Sequence, residues 1–363
     1  MKKFIFFFSV LSLFVFCKTP TKTIVETQGT KIEPSPKSRD DQRGDLRFVN
    51  YNVENLYDTY DDTTKDDEEF LPWGLKGWNK ERYNQKLKNI FKVLVNVGGW
   101  EMPEIVAVQE IENRRVLEDL INLTPMSEYK YGVIHEDSPD NRGVDVGLLF
   151  RRDKFTPLQH SVIRIKFPFD TLVKTRDILM VKGLVNKMKD TITIFVFHSP
   201  SRRGGETASE PRRVYVAEQA RIRIDSILDR NPDSKIVLMG DFNDEPDNKS
   251  ILEVLRGKGD ANNLQAGDMY NFMYNLKMNQ GLGSYKFQEF WNCIDNLIVS
   301  QGLLSNKATT YCTTNSGQIY NKDWLVMPDD QAPGVKPVRT YNGPQYVGGF
   351  SDHLPVYLDL YFR

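Results

Sequence analysis

Short apolar runs separated by polar turns recur along almost the whole 363-residue chain after residue 45. Several are rich in Val, Ile and Phe, which is typical of buried strands. The runs are Leu46–Val53, Ile105–Gln109, Val144–Phe150, Ile178–Val185, Ile192–Phe197, Ile236–Met239, Ile294–Val299 and Val356–Leu360. This pattern predicts a protein that is built around β-sheets.

Two segments between these runs have helical periodicity instead. One helical face is shared by Tyr83, Leu87, Ile90, Phe91 and Leu94, and another by Val216, Ala220, Ile224 and Ile227. Many strands with few helices predict two sheets packed face to face, with helices outside. No change in composition divides the chain after Asp45, so residues 46–363 are predicted to form one domain. The polar segment Tyr311–Gly349 is predicted to be a long loop or an irregular insertion.

The N-terminus has the order of residues found in export signals. Met1-Lys2-Lys3 is basic, and the apolar run from Phe4 to Phe16 fits the core of a signal peptide better than a membrane span. Residues 1–17 are therefore predicted to be a signal peptide, with a buried N-terminal strand or helix as the alternative. Residues 18–45 are rich in Thr, Lys, Pro and Ser, which predicts a flexible tether.

Cys17 stands where the apolar run ends, which is the position of the lipidated cysteine in a bacterial lipoprotein signal. Phe16 is larger than the small residue that such signals carry, so ordinary cleavage without an anchor is the alternative. In both cases we expect an exported protein, either secreted or tethered by lipid at the bacterial cell surface or in the periplasm. Cys293 and Cys312 could form a disulfide there or remain buried thiols.

The charge balance limits how the chain can attract a polyanion. Its formal net charge is -1, so no global basic field favours nucleic acid. Any attraction to phosphate must therefore be local. The sequence contains no CxxC pair, which argues against a thiolate zinc site.

Oxygen-bearing side chains follow several of the predicted strands. Asp241 and Asn243 come after Ile236–Met239 and, being two residues apart in extended chain, project to the same side. Glu110 ends another run, and Asn52 interrupts a third. Such groups suit a hard cation, a bound water and a phosphate oxygen. Each feature also has a structural alternative when taken singly. Asp241 and Asn243 could belong to an Asp/Asn-rich turn, Glu110 could be solvated, and Asn52 could cap a turn.

Two of the 4 histidines stand where a predicted strand meets a loop. His198 follows Ile194-Phe195-Val196-Phe197, and His353 follows Ser351-Asp352. A pair of histidines can act as general acid and base near neutral pH, whereas a single one is more often structural.

The order of these motifs along the chain resembles that in the endonuclease/exonuclease/phosphatase superfamily. This superfamily contains pancreatic deoxyribonuclease, abasic-site endonucleases, neutral sphingomyelinases and inositol-polyphosphate phosphatases. The resemblance rests on Asn52, Val108-Gln109-Glu110, the Asp241/Asn243 motif, Cys293-Ile294-Asp295-Asn296 and Ser351-Asp352-His353. It extends from Leu46 to Leu360. It implies a four-layer α/β sandwich of two mostly antiparallel sheets flanked by helices.

The resemblance also implies a metal centre. Glu110 would be the principal ligand, with Asn52 beside it and Asp352 as a further ligand. Glu54 falls where some members carry a second acidic residue near the metal. The implied ion is Mg²⁺, with Mn²⁺ or Ca²⁺ as alternatives.

Catalytic roles follow from the same resemblance. Asp241 would orient or deprotonate the attacking water, and Asn243 would stabilise the phosphoryl oxygens. His353 would contact the phosphate, with Asp295 holding its imidazole in one orientation. His198, in Phe197-His198-Ser199-Pro200, resembles a second general acid/base of the deoxyribonuclease pattern.

Several arginines are candidates for contact with substrate phosphate. Arg176 falls where deoxyribonuclease-like members have a phosphate-contacting Arg, and Arg202 and Arg203 follow His198 on a loop that contains Gly204 and Gly205. Arginine suits bidentate phosphate contact, although solvated surface residues are the alternative. The local positive field would come from the cluster Arg202, Arg203, Arg212 and Arg213.

The leading hypothesis is an extracellular nuclease that hydrolyses DNA or RNA, so nucleic acid is the expected partner. No protein partner is implied. The alternative is a phosphatase or a sphingomyelinase-type lipid phosphodiesterase, for which Leu71-Pro72-Trp73 with Trp78 is the candidate membrane-facing element. A non-catalytic surface binding protein is a third hypothesis, and the complete set of catalytic residues argues against it.

Overall fold

The computed structural model describes Met1 and residues 43–99 and 101–363. Apart from Met1, the predicted signal peptide with Cys17 lies outside the described residues, as does the tether before residue 43. The last residues of the predicted tether contact the folded domain. Arg43 donates a hydrogen bond to Glu104 at 2.6 Å, and Asp45 accepts one from the amide of Phe362 at 2.8 Å.

Two seven-stranded sheets and several two-stranded ones form the β-structure. The strands, numbered in chain order, are β1 (Leu46–Leu56), β2 (Ile105–Ile111), β3 (Tyr131–His135), β4 (Asp145–Arg151), β5 (Phe155–Ile163), β6 (Ile178–Val185), β7 (Asp190–His198), β8 (Lys235–Asp241), β9 (Gly257–Lys258), β10 (Met269–Asn271), β11 (Tyr285–Phe287), β12 (Phe290–Asn292), β13 (Asp295–Ser300), β14 (Thr310–Tyr311), β15 (Gly317–Ile319), β16 (Val326–Pro328), β17 (Val335–Pro337), β18 (Tyr341–Asn342), β19 (Gln345–Tyr346) and β20 (Val356–Phe362).

The helices lie mostly between the long strands. They are α1 (Lys80–Gly98), α2 (Arg114–Asn122), α3 (Glu206–Leu228), α4 (Phe272–Gln280) and α5 (Gln301–Leu304), with single turns at Glu68–Phe70, Pro125–Tyr129, Ser250–Val254, Ala261–Asn263 and Asp323–Leu325. Within the described part of the chain, no helix combines the length and the apolar character that a membrane crossing requires.

Each large sheet is mostly antiparallel but contains a parallel pair near its centre. The first sheet has the order β14-β20-β1-β2-β4-β3, with β15 also paired to β20, and the second has the order β5-β6-β7-β8-β13-β10-β9. β1 runs parallel to β2, and β7 runs parallel to β8. The carboxyl ends of each pair therefore lie at the same edge of their sheet.

The two sheets pack face to face around a core to which alternate strand residues contribute, among them Phe48, Leu148, Val196 and Leu358. A second apolar cluster lies between the first sheet and helices α1 and α2, and a third lies between the second sheet and α3. The predicted face of α1 is buried at Tyr83, Leu87, Ile90 and Leu94. The predicted four-layer α/β sandwich is confirmed, and each predicted strand run forms a strand.

The segment Tyr311–Gly349, predicted to be a loop or an irregular insertion, contains short strands. β15 joins the first sheet through β20, while β16 pairs with β17 and β18 pairs with β19 as two hairpins. Strands of two or three residues are too short to show a period in the sequence. The prediction therefore missed the hairpins that bring this segment beside the site described below.

Cys293 and Cys312 are both free and buried. Burial raises the pKa of each thiol, so both are protonated and poorly reactive at neutral pH. Of the two interpretations of this pair, the structure shows buried thiols and no disulfide.

Candidate active site

The candidate site lies where the carboxyl ends of the two parallel strand pairs face each other. Asn52 and Glu54 occupy the last part of β1, and Glu110 is near the end of β2. On the second sheet, His198 ends β7 and is paired in register with Asp241, which ends β8. The strand order thus brings polar residues from distant parts of the chain to one edge of the sandwich.

Hydrogen bonds join the two sheets at this edge. Asn52 Nδ2 donates to Asp241 Oδ2 at 3.1 Å, and Asn50 Nδ2 donates to Asp295 Oδ1 at 3.3 Å. His353, in the segment before β20, is bonded through Nδ1 to Asp295 Oδ2 at 2.7 Å. Four of the residues singled out from the sequence, Asn52, Asp241, Asp295 and His353, therefore come together at one buried site between the sheets.

The backbone around the site is held in an unfavourable conformation. The φ angle is 53° at Glu54 and Asn55, 61° at Glu110 and 50° at Asn243. Left-handed backbone costs about 1–3 kcal/mol for a non-glycine residue and is concentrated at functional sites. At Glu110 the conformation is secured by the Asn55 amide, which donates to Oε2 at 3.0 Å. The fold thus accepts strain in order to aim these side chains at the site.

His353 is fixed in one orientation by its neighbours. Its Nδ1 faces Asp295, whose Oδ2 also accepts the Ser284 hydroxyl at 2.6 Å, and its ring packs on Tyr285 with centroids 4.8 Å apart. Burial alone would lower the pKa of His353, but the charge and hydrogen bond of Asp295, together with the charge of Asp241, raise it to about 10. At neutral pH the imidazole is therefore a cation with Nε2 free to donate.

Asp241 is a buried carboxylate that faces both histidines of the site. Its Oδ1 accepts the Asn243 amide at 2.8 Å, and its Oδ2 lies 3.7 Å from His198 Nε2 and 3.9 Å from His353 Nε2. Burial raises the pKa of Asp241 to about 7, opposed by the charge of His353 and by the hydrogen bonds from Asn243 and Asn52. A carboxylate with a pKa near neutrality is well suited to general-base catalysis.

His198 lies between the two sheets as a neutral imidazole. Burial lowers its pKa well below the ordinary value, and the charges of Arg176, Arg142 and His353 lower it further. Its Nε2 is 3.9 Å from Glu110 Oε1, and its Nδ1 has no hydrogen-bond partner among the described residues. The two site histidines thus carry different charges at neutral pH.

The oxygen donors around Glu110 fit a hard divalent cation. Glu110 Oε2 accepts the Asn55 amide, whereas Oε1 receives no hydrogen bond from the described residues and the side chain is 16% exposed. Asp352 has Oδ2 bound to Arg339 and its other oxygen without a described donor. Carboxylate oxygens are the ligands that Mg²⁺, Mn²⁺ and Ca²⁺ prefer, so the chemistry of Glu110 and Asp352 suits the implied ion, and their roles as ligands stay predictions. Asn52 has its oxygen bound by the Glu54 amide at 3.0 Å.

Glu54 is already engaged by protein donors. Arg339 Nε donates to Oε1 at 3.0 Å, the Thr340 amide donates to Oε2 at 2.6 Å, and Lys86 Nζ lies 4.0 Å from Oε2. Arg339 also donates to Asp352 at 3.1 Å. Two cations of the chain itself therefore balance this acidic end of the site, and Glu54 would have to release a donor in order to bind an ion directly.

A family model matches residues 48–361 of the chain and describes the endonuclease/exonuclease/phosphatase family. The chain belongs to this family. Its members hydrolyse phosphoester bonds, which accords with the convergence of Glu110, Asp241 and His353. No curated protein matches the chain at significant sequence similarity.

Solved structures of the family share the fold. The human Nocturnin catalytic domain with bound sulfate is 14% identical, with a TM-score of 0.52, 88% of this chain covered and 94% of that one. The Bacteroides vulgatus endonuclease/exonuclease/phosphatase is 15% identical, with a TM-score of 0.51 and coverage of 88% and 99%. D. rerio TDP2 complexed with single strand DNA product is 13% identical, with a TM-score of 0.50 and coverage of 87% and 98%. At these identities the likeness shows the fold alone.

Asn243, at the position that the family resemblance gives to phosphoryl stabilisation, is at the site but tied to a neighbouring loop. Its side-chain Nδ2 donates to the backbone carbonyl of Ser199 at 3.0 Å, and its backbone carbonyl accepts a hydrogen bond from Arg202 Nε at 2.8 Å. Arg202 also donates to Asn248 at 2.7 Å. Arg202 therefore holds the loop after β8, and the phosphate roles of Asn243 and Arg202 stay predictions.

Arg176 is buried behind the site. Its guanidinium donates to the carbonyl oxygens of His198 at 3.2 Å and Ser199 at 2.7 Å, and to Asp140 at 2.9 Å. These bonds fix the end of β7 and use three of the five N–H donors of the guanidinium. Arg176 is thus placed to position His198, and its contact with a substrate phosphate stays a prediction.

The remaining arginines do not form the exposed basic cluster that the sequence suggests. Arg213 is fully buried and paired with Asp244 at 2.6 Å, and Arg212 is paired with Asp170. Arg203 is exposed. Closer to the site, Arg142 is 46% exposed and its charge contributes to the lowered pKa of His198. Arg142 is therefore an available cation that the sequence interpretation did not select.

Other residues of the site were missed as well. Gln109 Nε2 donates to Asn50 Oδ1 at 2.8 Å, and Asn50 in turn donates to Asp295, so a buried relay supports the His353 partner. Asn50 and Asn52 share one face of an otherwise apolar strand, and this alternation was a usable signal. Ser284 and Lys86 had no local sequence signal.

Proposed function

We propose that this family member is an exported, divalent-metal-dependent phosphodiesterase whose substrate is DNA or RNA. The observation that carries the proposal is the convergence of Glu110, Asp241 and His353 on one site between the two sheets. Asp241 lies within 3.9 Å of His353 Nε2, and Glu110 lies 3.9 Å from His198 Nε2. These residues supply the ligand, the base and the cationic donor that phosphodiester hydrolysis requires.

An ion held by Glu110 and Asp352 would supply positive charge against the phosphoryl oxygens. Asp241 accepts the proton of the attacking water, and Asn52 holds its Oδ2 at 3.1 Å. His353, cationic at neutral pH, donates from Nε2 to a phosphoryl oxygen, where negative charge builds up in the transition state. Asp295 keeps this nitrogen aimed at the substrate by accepting the proton on Nδ1.

Several observations favour nucleic acid as the substrate. Arg142 is 46% exposed and provides a local cation near the site in a chain whose net charge is -1. The His198 motif resembles the deoxyribonuclease pattern, and the D. rerio TDP2 of similar fold was solved with single strand DNA product. The predicted signal peptide places this activity outside the cytoplasm, with Cys17 as a lipid tether in the anchored form.

Metal removal and site substitution test the proposed function. We expect EDTA to abolish hydrolysis of plasmid DNA or RNA and Mg²⁺ or Mn²⁺ to restore it. Glu110→Ala and His353→Ala should each lower kcat/KM by about 100-fold, because the first removes the carboxylate that would hold the ion and the second removes the cationic donor to the phosphoryl oxygens. His160→Ala is the matched control, since that side chain is 44% exposed and pairs with Glu136. Full activity of both site variants would refute the site, and a well-folded but inactive wild type would favour a surface binding protein.

A sphingomyelinase-type lipid phosphodiesterase is the second candidate, and one observation favours it. Trp73 and Leu75 are 73% and 71% exposed on one turn, whereas Trp78 is buried and donates to the Tyr57 carbonyl at 2.9 Å. Exposed Trp and Leu side chains suit insertion at a membrane interface.

Assays of sphingomyelin vesicles beside DNA separate the two candidates. On the nuclease proposal, we expect Trp73→Ser to leave DNA hydrolysis within about twofold of wild type, because surface changes away from a site are near neutral. Sphingomyelin should not be turned over. Turnover of sphingomyelin that depends on Trp73 would replace the nuclease proposal.

A further inference from the structure

A cavity of about 640 Å³ opens beside Tyr285, and His353 is not among the residues that line it. Its walls are the β11–β12 hairpin, the β16–β17 hairpin and Arg339, and Tyr285 both lines it and packs on the His353 ring at 4.8 Å. The volume lies in the range of pockets that bind small organic groups. A group that fills this cavity would be separated from His353 by the Tyr285 ring, and so would lie near the phosphate that His353 is proposed to contact.

The lysines in the walls are paired with aspartates of the same cavity, and Glu289 adds an exposed negative charge. Lys286 and Asp329 are 2% and 6% exposed and lie 2.9 Å apart, and Lys286 also donates to the Pro333 carbonyl at 2.8 Å. Lys336 pairs with Asp329 at 3.2 Å and with Asp330. With these lysines neutralised, the cavity fits an uncharged polar group better than a second phosphate.

Aromatic and carboxamide side chains also line the cavity. Phe287 lines the cavity with 58% of its surface exposed, so one ring face is available for stacking. Gln288, Gln331 and Asn342 line it too, and within the described chain their carboxamides are not used in hydrogen bonds. A stacking ring beside free carboxamide donors and acceptors is the chemistry that recognises an unstacked nucleobase. An acyl chain would gain nothing from the carboxamides or the paired ions.

We infer that this cavity is a nucleobase-binding subsite that holds the base next to the scissile phosphate. The inference rests on the proposed function and names its substrate class as single-stranded nucleic acid. In a duplex the base is stacked and paired, so it would have to leave the helix to reach the Phe287 ring.

The test compares substrates that share a charged backbone but differ in their bases. Wild type is assayed on single-stranded oligothymidylate, on an abasic oligomer of the same length, and on oligothymidylate annealed to oligodeoxyadenylate, which should be cleaved more slowly than the single strand because its bases are stacked and paired. We expect oligothymidylate to be preferred over the abasic oligomer by about tenfold, the size of one stacking contact. Phe287→Ala should lose this preference, while Phe290→Ala, which is 62% exposed on the same hairpin but does not line the cavity, should keep it.

Fluorescence anisotropy of labelled oligothymidylate in EDTA supplies a readout that is independent of hydrolysis. Weaker binding by Phe287→Ala, with no change for the abasic oligomer, supports the subsite even if no substrate is cleaved, in which case only the proposed function fails. Equal rates and affinities of wild type on the two oligomers would overturn the subsite. If Phe287→Ala and Phe290→Ala lost the preference for oligothymidylate equally, the subsite would also be overturned. The loss would then come from a disturbed hairpin and not from the ring that lines the cavity.

Discussion

Asp241→Asn is expected to lower kcat/KM on a phosphodiester by about 10²–10⁴-fold, the usual contribution of a positioned general base. The amide keeps the shape of the side chain and can still accept the Asn243 backbone hydrogen bond of 2.8 Å. It cannot take a proton from water. Steady-state kinetics with Mg²⁺ measures the loss, and circular dichroism checks that the fold is intact. Activity within tenfold of wild type would exclude Asp241 as the base.

The same variant has an expected effect on stability whose sign follows from the pKa. Burial raises the pKa of Asp241 from 3.8 to about 7, so the folded state binds this proton more tightly than the unfolded state does. The contribution of Asp241 to the free energy of unfolding therefore falls as pH rises from about 4 to about 7. We expect urea unfolding to show that the free energy of unfolding decreases less from pH 5 to pH 8 in Asp241→Asn than in wild type. If it decreases equally in both proteins, burial of Asp241 does not set its pKa.

The strands and the reacting residues were predictable because both leave local patterns. Runs such as Ile194–Phe197 are apolar throughout, since both faces of the central strands are covered, and His198 and Asp241 stand within two residues of where such runs end. Strand order then places those ends together. The periodicity of apolar residues could not predict that Asp295 and His353 belong to the same site. That prediction came from the order of the motifs along the chain.

The missed residues are those whose roles depend on contacts between distant segments. Lys86 is an ordinary basic residue of α1 in the sequence, yet it donates to Thr340 at 2.6 Å and neighbours Glu54. Arg339 lies in the segment that lacked periodicity, and its two carboxylate partners are known only once the chain is folded. No local pattern distinguishes a buried, paired arginine from a solvated one.

Arg213 shows this limit most clearly, because the sequence interpretation places it in an exposed basic cluster. It is 1% exposed on α3, and it donates to Asp244 at 2.6 Å, Ser209 at 2.7 Å and the Glu206 carbonyl at 3.0 Å. The pair fastens the helix to the loop that begins with Asp241 and Asn243. A basic residue that was counted toward the local positive field is instead a structural support of the site.

Arg213→Ala is therefore expected to lower the free energy of unfolding by about 3–5 kcal/mol, the usual cost of breaking a buried ion pair. The loss arises because Asp244 stays buried at 1% exposure with its main cation removed. Arg212→Ala is the matched control, since that side chain is 33% exposed and its pair with Asp170 should contribute at most about 1 kcal/mol. Urea unfolding of both variants measures the difference.

The double variant Arg213→Ala/Asp244→Asn isolates the cause. Asparagine removes the buried charge and can still accept the Ser250 hydroxyl, which lies 2.6 Å from Asp244 Oδ2. If the uncompensated carboxylate is what destabilises Arg213→Ala, the double variant should recover part of the lost stability and lose less than the two single changes added together. Exact additivity would mean that Arg213 stabilises the fold through packing alone, and its pairing with Asp244 would then not explain how the loop carrying Asp241 is held.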